Sequence, residues 1–139
     1  MRIYGYDSSD EDWDSFDDAE WDSGELDEIQ GKIVAGDLIP GGSNEFAVGT
    51  GGKYLGNDDD PGQVVVYKRS GSTYTTDGSN INTGRYHAFG LAIGDPDDDG
   101  DAEIIVGTGE YKDEKPRLIV YSGDSRAEEF SMEISGSSV

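Results

Sequence analysis

One segment of this sequence has residue types and spacing that could bind a cation. Residues 95–103 read Asp-Pro-Asp-Asp-Asp-Gly-Asp-Ala-Glu, and six of the nine carry carboxylates. Carboxylates occupy the odd positions of the segment and glycine the sixth: Asp95, Asp97, Asp99, Asp101, Glu103 and Gly100. A hard divalent cation such as Ca²⁺ takes six to eight oxygen ligands, which such a loop can largely supply. A solvated acidic turn is the alternative, but its charges would repel one another, and the ordered spacing and the glycine favour a metal site.

The charge of the chain limits its partners. The 139 residues, about one domain, include 31 acidic and 10 basic residues, for a formal net charge of −21. This charge argues against binding to nucleic acid or to an anionic membrane, and no apolar run approaches the ~18 residues of a membrane span. It fits cation binding, and it fits either a halophilic surface or an ordinary acidic extracellular domain.

Covalent and targeting signals are few. The chain has no cysteine, which excludes disulfides and thiolate metal sites. Its first residues lack a secretory apolar core, so we expect either no export by that route or a mature or truncated chain.

Within the acidic stretch at residues 7–28, Trp13, Phe16 and Trp21 are predicted to anchor a strand or loop on a core. An amphipathic binding segment is the alternative.

From Lys32 onward the sequence predicts short β-strands separated by turns rich in glycine, proline, asparagine and aspartate. No segment has a helical period of helical length. The expected strands are 33–37, 45–52, 63–67, 72–76, 87–95, 102–109 and 128–134.

These strands belong to an internal repeat. Gly36-Asp37 precedes Gly94-Asp95 by 94 − 36 = 58 residues, and Gly49-Thr50-Gly51 precedes Gly107-Thr108-Gly109 by the same 107 − 49 = 58. Two landmarks with one period indicate tandem units. We predict four-stranded antiparallel units at 31–84 and 85–139, preceded at 1–30 by the last two strands of another, hence about two and a half units.

The second unit resembles the FG-GAP repeat, the calcium-binding β-propeller blade of integrin α-subunits and of related VCBS-type repeats. The resemblance covers about residues 31–124 and is carried by Phe89-Gly90, the acidic segment from Gly94 to Glu103, and the strand Ile104-Ile105-Val106-Gly107. It implies an all-β, propeller-type fold with structural Ca²⁺ held by the side chains of Asp95, Asp97, Asp99 and Glu103 and the carbonyl of Asp101. Two departures are Glu103, where the family usually has Asp, and Thr108-Gly109, where it has Ala-Pro.

The first unit carries a degenerate form of the loop. Asp37 and Glu45 match its first and ninth positions, but Ile39 and Gly41 replace the middle acids, so we expect this loop to be empty. In the blade arrangement, five aliphatic residues are expected to fill the space between blades: Val64, Val66, Ile105, Leu118 and Val120. Tyr67 and Tyr121 are expected to pack rather than to bind ligand.

The resemblance implies a non-enzymatic, extracellular or cell-surface module for adhesion, assembly or scaffolding. The alternative is a carbohydrate-active hydrolase or lyase, or its accessory domain, because fold alone does not fix function. His87 is the one histidine, and no acid pair stands out for general acid–base chemistry. An EF-hand or dockerin-like site needs a bidentate Glu at loop position 12, which here is Val106.

The predicted number of blades raises the question of partners. A closed propeller needs four or more blades, so about two and a half would leave strand edges open to other chains. We therefore expect self-association into a ring or filament, or the remainder of a longer propeller. A protein or glycan ligand remains open.

Overall fold

The computed structural model describes residues 32–42, 44–50, 62–84, 88–109 and 115–135, apart from the side chain of Phe89, and the backbone of four two-residue strands nearer the N-terminus. All regular elements in these ranges are antiparallel β-strands, and the described residues contain no helix. The all-β prediction is confirmed. No helix of the described chain is long and apolar enough to cross a membrane.

The N-terminal strands form two small ladders. β1 (Arg2–Ile3) pairs with β4 (Trp21–Asp22), and β2 (Tyr6–Asp7) pairs with β3 (Asp12–Trp13). That residues 1–30 complete a preceding blade stays a prediction. The aromatic anchors proposed within this stretch, and His87, lie outside the part of the chain whose side chains are described.

The first sheet contains β5 (Ile33–Gly36), β6 (Glu45–Thr50), β7 (Gln63–Ser70) and β8 (Thr73–Thr76) in sequential order, with the short β9 (Ile81–Asn82) also paired to β7. The β7–β8 hairpin turns at Gly71, whose φ of 65° suits a tight two-residue turn.

The second sheet contains β10 (Ala88–Gly94), β11 (Glu103–Thr108), β12 (Arg117–Ser122) and β13 (Glu128–Glu133), again in sequential order. The described chain thus contains one antiparallel sheet of five strands and one of four, and the division into units at 31–84 and 85–139 stays a prediction. Within the described residues neither sheet closes on itself, and their membership of a propeller remains a proposal.

The main core lies between the two sheets. β10 of the second sheet packs against β5 and β6 of the first. The first sheet and its loops contribute Leu38, Ala47, Val64, Val66 and Ile81, and the second contributes Ala88, Leu91, Ile104, Val106, Ile119 and Tyr121. Val64 and Val66 lie between the two sheets, and that these sheets are propeller blades stays a proposal.

Three of the predicted inter-blade residues do not lie in this core. Ile105, Leu118 and Val120 are half-buried and alternate with the core residues of their strands. Because successive side chains of a strand point to opposite faces, these three lie on the face of the second sheet that turns away from the first. No other described sheet covers that face, so the expectation that these three fill the space between blades stays a prediction.

Two glycines allow the sheets to approach closely. A Cβ built at Gly36 would lie 2.7 Å from Cγ2 of Ile93, and one at Gly49 would lie 2.9 Å from the carbonyl oxygen of Ala88. Real side chains do not tolerate such distances, so these positions require glycine for space rather than for backbone conformation.

The opposite face of the first sheet carries a separate cluster. Phe46 stacks on Tyr67 with ring centroids 5.4 Å apart and meets Tyr74 at 4.9 Å. Tyr67 and Tyr121 are 6% and 5% exposed, so both pack, as expected. Burial raises the pKa of each phenol.

An ion cluster joins the two sheets at their rim. Nη2 of Arg126, in the β12–β13 turn, donates to Oδ2 of Asp77 at 2.7 Å, and Nζ of Lys68 lies 2.5 Å from Oδ1 of the same carboxylate. The side chains of Arg126 and Asp77 are only 10% and 12% exposed. This contact connects residues of the two repeat units across their junction.

Candidate metal centre

The acidic segment is the hairpin loop between β10 and β11. β10 ends at Gly94, β11 begins at Glu103, and these two residues are directly paired. The ladder on either side fixes the ends of the loop, so residues 95–102 must reverse the chain within the width of one strand pair. The strands therefore confine the acidic side chains to a small volume.

The loop is folded around the first aspartate. Oδ1 of Asp95 accepts a hydrogen bond from the backbone N–H of Asp99 at 3.2 Å, and Oδ2 accepts one from the N–H of Gly100 at 3.1 Å. Oδ1 of Asp99 accepts from the N–H of Asp101 at 2.9 Å. These bonds give the loop a defined turn although its side chains are exposed.

Two loop residues adopt the left-handed region. Gly100 has φ 96°, the conformation for which glycine is suited, and Asp98 has φ 61°. Asn and Asp enter this region more readily than other side-chain-bearing residues. The glycine predicted to make the turn is thus in the position that requires it.

Three of the five predicted ligands come together. One carboxylate oxygen from each of Asp95, Asp97 and Asp99 lies within 4.8 Å of the others. Two oxygens that share a Ca²⁺ at 2.3–2.6 Å can be at most about 5 Å apart, so this spacing is compatible with one ion. The Asp101 side chain and Glu103 lie outside that group. The expected role of Asp101, however, uses its backbone carbonyl.

Glu103 lies at the base of the loop and is the unusual member of the set. It is 2% exposed, and its buried Oε2 has no hydrogen-bond partner among the described residues. Burial raises the pKa of this carboxyl to about 7, and the negative charges of Asp97, Glu129, Asp99 and Asp95 act in the same direction. A buried carboxylate beside other carboxylates needs a counter-charge.

In the first sheet, the equivalent buried carboxylate is stabilised by backbone hydrogen bonds. Glu45 is the repeat equivalent of Glu103, is 3% exposed, and is paired with Gly36 as Glu103 is with Gly94. Its Oε2 accepts hydrogen bonds from the backbone N–H groups of Leu38 at 3.0 Å and Ile39 at 3.2 Å. Asp37 is exposed, and the described residues of this loop form no group of acids that could hold a metal.

Sequence reasoning identifies the aspartate cluster but not these supporting contacts. The replacement of metal ligands by the amides of Leu38 and Ile39 has no sequence signal beyond the missing acids. The ion pair between Asp77 and Arg126 also has almost no signal in the sequence. The one available hint is a basic residue, Arg126, in a turn that also carries Asp124 and is followed by Glu128.

The all-oxygen donor set, the spacing of three carboxylates and the unpartnered Glu103 oxygen fit a calcium-sized hard cation. Comparison of the chain with protein-family models, with curated protein sequences and with solved structures yields no match. The repeat and the loop of this chain are therefore the features from which its function is inferred.

Proposed function

We propose that this chain is a non-enzymatic, calcium-binding repeat module of the FG-GAP type, in which calcium closes the β10–β11 hairpin. The observation that carries the proposal is the buried Oε2 of Glu103, which lacks a partner among the described residues and is electrostatically coupled to Asp95, Asp97 and Asp99. A bound cation would supply the missing positive charge. The buried Oε2 of Glu103, unpartnered among the described residues, distinguishes this loop from an ordinary acidic turn.

The ligand chemistry favours calcium over magnesium. Ca²⁺ accepts six to eight oxygens in flexible geometry, whereas Mg²⁺ demands a near-ideal octahedron and usually keeps several waters. Here the side chains of Asp95, Asp97, Asp99 and Glu103 would bind the ion, with the carbonyl of Asp101. The role of the ion would be to neutralise the loop and fix the ends of β10 and β11.

The setting and use of the module belong to the same proposal. Extracellular modules bind calcium with dissociation constants of about 10⁻⁴–10⁻³ M, and a loop whose aspartates are exposed suits such a site. Assembly, adhesion or scaffolding at a cell surface is the use that an open repeat with a metal-stabilised hairpin would serve.

Calorimetric titration of the chelator-treated chain with CaCl₂ tests the site. We expect one calcium per chain, and at least about tenfold weaker binding for Asp97→Asn. Asp98→Asn is the matched control, since Asp98 is exposed and outside the carboxylate cluster; it should change affinity by less than about twofold. Equal losses in both variants, or no calcium binding at millimolar concentration, would contradict the proposal.

The enzymatic alternative has its own readout. A glycan-hydrolysis or lyase activity that Glu103→Gln abolishes well below the melting temperature of the variant would assign a catalytic role to the loop. A structural metal site predicts a change in melting temperature and calcium affinity without any such activity.

A further inference from the structure

The contact between the two sheets shows what covers one face of a repeat unit. On the first sheet, the glycines Gly36 and Gly49 form shallow positions, and the innermost strand of the next unit, β10, occupies them with Ile93 and with Ala88 and Leu91. The first sheet therefore contributes a pair of glycines, the receiving feature, and the next unit contributes its apolar first strand, which packs on them.

The second sheet carries the same receiving feature with no described residue packed on it. Gly94 and Gly107 are the equivalents of Gly36 and Gly49 at the 58-residue period. A Cβ at Gly94 would meet no described atom within 4 Å, and one at Gly107 would meet only backbone of Gly90, at 3.8 Å. Among the described residues, the space that β10 fills on the first sheet is open on the second.

Two rows of the same face are apolar out to its edge, whereas the row of Gly94 continues into Glu103 and Ser122. Cross-strand pairing aligns Ala92, Ile105, Val120 and Phe130 in one row, and a second row ends in Leu118 and Met132. Directly paired residues share a face of the sheet. Phe130 and Met132 are 52% and 47% exposed. We call this surface, with its glycines Gly94 and Gly107, the open face.

The other end of the described chain presents the complementary feature. The first strand of the first sheet, β5, stands where β10 stands in the second: Ile33 and Ala35 precede Leu91 and Ile93 by 58 residues. Ile33 is 50% exposed, and Ala35 is exposed as well. The exposed large hydrophobic residues of the described chain are confined to these two ends: Ile33, Phe130, Met132 and Ile134.

We propose that the open face of one copy receives β5 of a second copy, so that Ile33 and Ala35 cover Gly107 and Gly94 as Leu91 and Ile93 cover Gly49 and Gly36. The contact would repeat between chains the placement of an apolar first strand over two glycines. The rest of the face of the first sheet that carries Ile33 and Ala35 is already buried within the chain, with Phe46, Val48, Val65 and Tyr67. The proposal rests on the assembly role in the proposed function and deepens it, and it places the docking surface beside the acidic loop, because Gly94 is directly paired with Glu103. Because donor and acceptor surfaces differ, the association is head-to-tail and produces a ring or a filament.

A face-to-face dimer is a poorer use of the same surface. Two open faces related by a two-fold axis would bring together like surfaces and leave the exposed Ile33 of both copies uncovered. Head-to-tail packing covers both kinds of end with one contact. The net charge of −21 opposes either form, so association should strengthen with salt, which shortens the screening length to about 3 Å at 1 M.

Sedimentation velocity over a concentration series in about 1 M NaCl tests the association. We expect concentration-dependent oligomers of the full chain, and at least about tenfold weaker self-association for Ile33→Asp and for Gly107→Val. Gly107 has no positive φ and room for a side chain, so its variant should fold. Ser72→Asp, in the exposed β7–β8 turn, adds the same charge as Ile33→Asp and should leave the association unchanged.

The direction of packing can be read by cross-linking, because the chain has no cysteine of its own. A mixture of Ile33→Cys and Gly107→Cys chains, treated with a short thiol cross-linker, should give mixed dimers well above either same-site product. Predominance of the Gly107→Cys homodimer would indicate face-to-face packing and overturn the proposal. A chain that stays monomeric at all concentrations, or equal yields with Ser72→Cys in place of Ile33→Cys, would also overturn it.

This result is separable from the calcium proposal. At a protein concentration at which both chains are monomeric, calorimetric calcium titration of Ile33→Asp should match the unaltered chain, because Ile33 is not among the proposed ligands. Retained calcium binding without association would overturn only the docking surface, whereas association without calcium binding would overturn only the metal site.

Discussion

Replacing Glu103 by glutamine should stabilise the calcium-free protein and destabilise the calcium-loaded one. The substitution keeps the size of the side chain and removes its charge. In the folded chain burial and neighbouring carboxylates raise the pKa of Glu103 from 4.5 to about 7. A difference of one pH unit between the pKa of a group in the folded state and its pKa in the unfolded state changes the free energy of unfolding by about 1.4 kcal/mol. Solvent at the exposed loop screens the charges, so we expect about 1–2 kcal/mol rather than the full value of about 3 kcal/mol.

The sign depends on pH and on calcium. Below pH 4.5 Glu103 is protonated in both folded and unfolded states and destabilises neither. As the pH rises towards about 7, the unfolded state ionises while the folded state keeps its proton, so this group destabilises the folded state progressively and fully above about pH 7. Calcium reverses this effect, because it binds the ionised side chain of the folded state and adds stability by mass action.

Urea unfolding followed by far-ultraviolet circular dichroism at about pH 4 and about pH 8, with calcium and with chelator, checks the prediction. In chelator at the higher pH Glu103→Gln should be the more stable protein; at the lower pH the two should be equal; in excess calcium the order should invert. Glu45→Gln is the matched control, because the Glu45 carboxylate is held by backbone amides, and its loss of about 1–3 kcal/mol should be the same with and without calcium. Destabilisation by Glu103→Gln in chelator at the higher pH would refute the reasoning.

Two further substitutions test the packing of the sheets. Arg126→Met should lower the free energy of unfolding by about 1–3 kcal/mol, because it leaves the largely buried carboxylate of Asp77 with one ion-pair partner fewer. A double-mutant cycle with Asp77→Asn, measured by urea unfolding, should show coupling between the two residues. Additive effects of the two substitutions would contradict this prediction. Gly123→Ala should cost more than about 2 kcal/mol, because its Cβ would lie 2.0 Å from the Ala102 carbonyl oxygen. Gly42→Ala, with neighbours no closer than 3.5 Å, should melt within a few degrees of the unaltered chain, and an equal loss in both would argue against the close approach.

The sequence is most informative where residue type dictates backbone. Strand ends are marked by glycine and aspartate, so the hairpins of both units can be placed to within a few residues. The aspartate cluster follows from alternation, since Asp95, Asp97 and Asp99 lie on one loop whose length leaves them little room to separate. Gly100 can be placed because few other residues adopt its φ of 96°.

The choice of face is not predictable in the same way. Ile104-Ile105-Val106 and Leu118-Ile119-Val120 are continuous apolar runs, and a strand that is apolar on both faces gives no alternation from which to read its orientation. The structure places Ile104, Val106 and Ile119 in the core and their neighbours on the open face. Contacts between residues far apart in the chain, such as those made by Arg126, depend on sheet packing that local patterns do not specify.

The link between Asp77 and Arg126 also has a consequence for the order of folding. The two residues are 49 positions apart, whereas the pairs that build each hairpin are close in sequence. Arg126 takes a left-handed φ of 61°, so its turn is unfavourable until the hydrogen bond from Nη2 to Asp77 forms. We expect the hairpins to form first and the contact between Asp77 and Arg126 to form late, after the transition state of folding. Removing the arginine should then accelerate unfolding more than it slows folding.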